Sequence, residues 1–171
     1  FLAGIMNRSE KWTVEHEPKP WWKRMQAEDI QPRFDGKKFY GEVNSTLIYG
    51  FDDLEVDKKG VILRKPTDIL WSWAEHYGDD YVPTIDMFLE KLRILDKLAE
   101  RPGVSVYRFG PMVGSKAYLE GILSYFGIND VTVRDQEEKV NTKRKGTYDS
   151  FDECPAARFG KDVMWFEEKW F

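Results

Sequence analysis

From Pro66 onward, apolar and polar residues recur with the period of an α-helix. In "PTDILWSWAEHYG", Ile69, Leu70, Trp73, Ala74 and Tyr77 fall on one face, the stripe that a helix buries. Thr67 is placed to act as N-cap, Asp68 sits in the first turn where the helix dipole favours it, and Gly78 is a stop. A "DDYVP" link follows. "TIDMFLEKLRILDKLAERPG" then carries the strongest helical pattern in the chain, with Ile85, Phe88, Leu89, Leu92, Leu95, Leu98 and Ala99 as its apolar stripe. Glu90, Lys91, Asp96 and Lys97 are expected to face outward, and Pro102-Gly103 to end the helix.

The next segments change period. "VSVYRFG" is β-branched and aromatic with partial alternation, which predicts a strand. Ser115 then caps a helix whose stripe is Tyr118, Leu119, Ile122, Leu123 and Phe126, with Gly127 at the C-terminal glycine position. "VTVRD" predicts another strand, so pattern alone gives a strand–helix–strand unit. Residues 36–64 hold short apolar runs broken by Gly41, Gly50 and Gly60, which suit short strands or irregular segments, and "DKKG" at 57–60 suits a hairpin turn. Residues 1–35 read as an arm in which Pro18 and Pro20 hold Trp21-Trp22 on an extended path. In the polar 131–171 region, Val163, Phe166 and Trp170 recur at helical spacing near the end.

Composition narrows the function classes. The 171 residues suit one domain with tails, and 42% hydrophobic with 33% charged residues is the mixture of an ordinary globular protein. A net charge of −4 lacks the basic footprint of a nucleic-acid binder. No apolar run approaches the roughly 20 residues that cross a bilayer. One cysteine, Cys154, excludes an internal disulfide, and His16 and His76 are too few histidines for a zinc site. The start at Phe1 rather than Met suggests a removed presequence or a fragment. Seven Trp invite burial against a partner.

Catalytic constellations fare poorly. In "RFGPMVGSKAYLEG", Gly110 and Gly114 lie too close for a Walker loop, Ser115-Lys116 is in reversed order, and Pro111 removes a cradling N–H. Asp52-Asp53 and Asp79-Asp80 read as solvated loop ends rather than converging acid–base pairs. His76 reads as a half-exposed helix residue. Acidic neighbours disfavour a Cys154 thiolate.

The block from Asp68 to Asp130 resembles the subunit Va (mammalian) or subunit VI (fungal) family of mitochondrial cytochrome c oxidase. The residues that carry the likeness are "YGDDYVPTIDMFLEKLRILDKLA" and "SKAYLEGILSYFGIND". The resemblance implies an all-α fold: a short superhelix of antiparallel helical hairpins, tetratricopeptide-like, with extended N- and C-terminal arms. It divides the chain into an arm at 1–65, a helical-hairpin domain at 66–130 and an extension at 131–171, and makes "GVSVYRFGPMVG" a short helix. It further implies a non-catalytic accessory subunit, peripheral on the matrix side of the mitochondrial inner membrane. Such a subunit has other subunits of the complex as partners and no cofactor, metal or small-molecule substrate. Trp21, Trp22, Trp71, Trp165 and Trp170 are the candidate partner contacts. The competing expectations are a scaffold subunit of another organellar complex, such as an ATP synthase or respiratory dehydrogenase, a small soluble α/β enzyme, and a free-standing peptide-binding helical repeat.

Overall fold

The computed structural model describes residues 1–16, 32, 34–77, 85–135 and 147–171. These form two compact units, one from residues 1–59 and 110–140 and one from 60–109 and 141–171.

In the first unit, α1 (Leu2–Met6) precedes β1 (Trp12–His16), which runs parallel to β2 (Phe39–Val43), with Trp12 opposite Phe39 and His16 opposite Val43. Val14 and Thr13 are buried in β1, and α1 covers the pair with Leu2, Ala3, Ile5 and Met6. Asn7 fastens the two elements: its Oδ1 accepts from the Val14 N–H at 2.7 Å and its Nδ2 donates to the Val14 carbonyl. Trp12 and Phe39 stack across the strands at 5.0 Å. The later part of this unit holds α4 (Phe109–Gly114), whose first residue belongs to the other unit, and α5 (Lys116–Phe126). Ser115 caps α5 by accepting from the Tyr118 N–H, and Gly127 ends it at φ +79°, a left-handed conformation that side chains disfavour. Val131–Val133 forms no strand, although Val133 is buried.

The second unit is built around β3 (Gly60–Leu63) and β4 (Ser105–Arg108), again parallel, with Val61 opposite Val106 and Leu63 opposite Arg108. Val61 and Leu63 are buried and alternate with half-buried Gly60 and Ile62, the two-residue period of a strand. At Gly60 the partner backbone comes so near that a Cβ would meet the Ser105 carbonyl oxygen at 2.8 Å. Parallel strands need a long crossover, supplied here by α2 (Pro66–Tyr77) and α3 (Ile85–Ala99). A last helix, α6 (Gly160–Trp170), packs on both, α2 also meets the 3₁₀ turns at Phe151–Glu153 and Pro155–Phe159, and α3 packs on β3. Leu63, Leu70, Leu92, Val163 and Phe166 form the driest part of this core.

The all-α expectation is therefore corrected: the chain is mixed α/β, and it is not a tetratricopeptide-like superhelix. Residues 105–108 are a strand, as their alternation predicts, and only 109–114 of the stretch assigned to a short helix is helical. The "DKKG" segment closes no hairpin, because β3 begins at Gly60 and pairs in parallel with a strand beyond two helices. Asp96 is half-buried rather than outward, for its carboxylate meets α6. Trp21, Trp22, Gly78 and the 79–83 link lie outside the described residues, as does the side chain of His76.

Candidate functional site

Two strand ends concentrate polar chemistry, one in each unit. In the first unit, Glu15 and Glu42 are register partners near the carboxyl ends of β1 and β2. The Tyr40 hydroxyl lies between them, 3.0 Å from Glu15 Oε2 and 2.5 Å from Glu42 Oε1. Burial, and then hydrogen bonding to Glu42 and Glu15 and their charge, push the Tyr40 phenol well above its ordinary value. The phenol thus bridges the two carboxylates, with a single proton to donate to one of them at a time. Among the described residues no group of three or more His, Cys, Asp or Glu has the arrangement of a metal site.

In the second unit the strand ends are basic. Arg108 closes β4 opposite Leu63, and Arg64 follows one residue later on the β3 side. Each guanidinium lies over an aromatic ring, Arg64 over Phe109 at 4.8 Å and Arg108 over Phe171 at 5.9 Å. Pro66 opens α2 directly after this turn; its fixed φ and missing N–H suit the first helical position. Thr67 comes next. Rather than capping its own helix from outside, Thr67 lies within α2, and both its N–H and its hydroxyl donate to Glu167 Oε1 of α6, at 2.8 Å and 2.5 Å. A carboxylate thus rests on the positive end of a 12-residue helix, and the Arg64 guanidinium donates to the Asp68 carbonyl in that helix's first turn at 3.3 Å. Carboxyl ends of parallel strands are where open α/β sheets bind ligands.

Other carboxylates in this unit have structural partners. Glu75, only 2% exposed, accepts from the backbone N–H groups of Thr147 and Tyr148 at 3.2 Å and 3.0 Å. Burial pushes its carboxyl up, but these two donors and the Trp71 indole outweigh it and hold the group below the usual carboxylate range. Burial likewise opposes ionisation of Asp96, and the Lys169 ammonium and Trp170 N–H overcome it. Lys169, paired with Asp96 and Glu100 at 2.7 Å and 2.6 Å, is held above its ordinary value.

Of the tryptophans named from sequence, Trp71, Trp165 and Trp170 are among the described residues. Trp71 is half-buried beside Glu75, and Trp170 donates its indole N–H to Asp96 at 2.8 Å. Trp165 is 38% exposed. Cys154 is buried, and burial, with the nearby Glu75 charge, pushes its thiol up. His16 and the Asp52-Asp53 pair are exposed. Arg64, Arg108 and Glu167 escaped the sequence reading. The signal was there: "GVILRKPTD" is a β-branched run that ends in two cations, a proline and an acidic first turn, the grammar of a strand feeding a helix. No helix among the described residues is long and apolar enough to cross a membrane. Compared with known proteins, the chain matches no family model, no curated protein and no solved structure.

Proposed function

We propose that this chain is a ligand-binding α/β protein that takes a phosphate- or sulfate-bearing small molecule at the carboxyl end of the β3–β4 pair. The accessory-subunit expectation came with an all-α fold that the chain does not have, and it is set aside. The observation that carries the new reading is the Thr67 N–H and hydroxyl holding an anionic oxygen where β3 and β4 run out into Arg64 and Arg108. Tetrahedral oxyanions suit such a setting, since guanidinium groups offer paired donors and the helix end adds N–H groups with a favourable dipole.

Calorimetric titration with inorganic phosphate, sulfate, pyrophosphate and ADP tests this. Saturable binding is expected, strongest for pyrophosphate or ADP and weaker as salt rises. Arg108→Ala is expected to weaken it by about tenfold, the loss of one charge-assisted contact. Arg64 is partly buried on Phe109, so its variant is Arg64→Lys, which keeps charge and loses the paired donors. Absence of binding to all four probes, or binding indifferent to both variants, overturns the proposal.

A further inference from the structure

We draw no further inference here: the strongest candidate, the Glu15–Tyr40–Glu42 cluster near the carboxyl ends of β1 and β2, is an acidic pair bridged by hydrogen bonds within the cluster, and nothing else among the described residues points to a ligand there.

Discussion

Adjacent aromatics on α6 give a sharp test of how that helix is seated. Phe166 is 0% exposed, whereas Trp165 beside it is 38% exposed. A buried aromatic removes about 150–250 Å² from water, which at about 25 cal/mol per Å² corresponds to about 4–6 kcal/mol as an upper bound. Measured Phe→Ala losses in cores run at about 3–5 kcal/mol, so that is the expected cost of Phe166→Ala. Its ring also meets Trp165 edge-on at 5.5 Å and Trp170 at 6.5 Å, contacts whose loss keeps the value in the upper part of that range. Trp165→Ala is expected to cost about 1 kcal/mol or less, as for other substitutions near the surface. The assay is urea unfolding followed by far-ultraviolet circular dichroism. With a slope of about 2 kcal/mol/M, Phe166→Ala lowers the midpoint by about 1.5–2.5 M, and Trp165→Ala by no more than about 0.5 M. Phe166→Leu, which refills most of the volume, recovers much of the loss. The reverse ranking, with Trp165→Ala the more damaging, means that α6 is rotated from the position described, and the contacts of Glu167 and Trp170 go with it.

Three further outcomes are expected. Gly60→Ala places a Cβ against the Ser105 carbonyl oxygen at 2.8 Å, so β3 and β4 must separate; the loss is about 1–3 kcal/mol with faster hydrogen exchange in both strands, and a neutral variant contradicts the parallel register. Gly127→Ala costs about 1–2 kcal/mol because of its left-handed backbone, while Gly110→Ala, in α4 with open space around it, is neutral or stabilising; denaturant midpoints of the two variants decide. Glu75 has a native pKa below its unfolded one, so its contribution is fully present above about pH 4.3 and is lost as pH falls through the lowered native value. Glu75→Gln is therefore expected to destabilise at neutral pH and to flatten the acid limb of the stability profile; an unchanged acid limb argues against the Thr147 and Tyr148 contacts.

The helices were legible because their stripes are long. Ile85–Ala99 has the bounds its pattern predicts, and the Ser115 cap and Gly127 stop are where the capping chemistry puts them. Strand β4 was also legible from "SVYR". What could not be read was pairing. β3 is only Gly60–Leu63, and nothing local says that its neighbour lies beyond two helices rather than across a tight turn. Asp96 shows the same limit from the polar side: its place among outward-facing residues follows from α3 alone, and only the arrival of Lys169 and Trp170 turns it inward. Arg64 and Arg108 went unremarked because each looks like a surface cation until the parallel register sets their strand ends side by side.

The same limit explains why the helical resemblance misled. An amphipathic stripe records that a helix has a dry side but not what dries it. Read as a hairpin, α2 and α3 should bury their stripes chiefly against one another. Trp73 does meet Phe88 edge-on at 5.1 Å. Yet α3 also packs on β3 and α6, and α2 packs on α6 and the Pro155–Phe159 turn. Two helices in succession are what a hairpin stack requires, and they are equally what a parallel strand pair requires to return to its starting edge. The discriminating residues are those just outside the helices: a β-branched run before Pro66 and another after Gly103. Their pairing makes α2 and α3 the crossover of a parallel strand pair rather than a stack of helical hairpins. It also brings Arg108 beside the strand end that precedes α2, where Thr67 donates to Glu167.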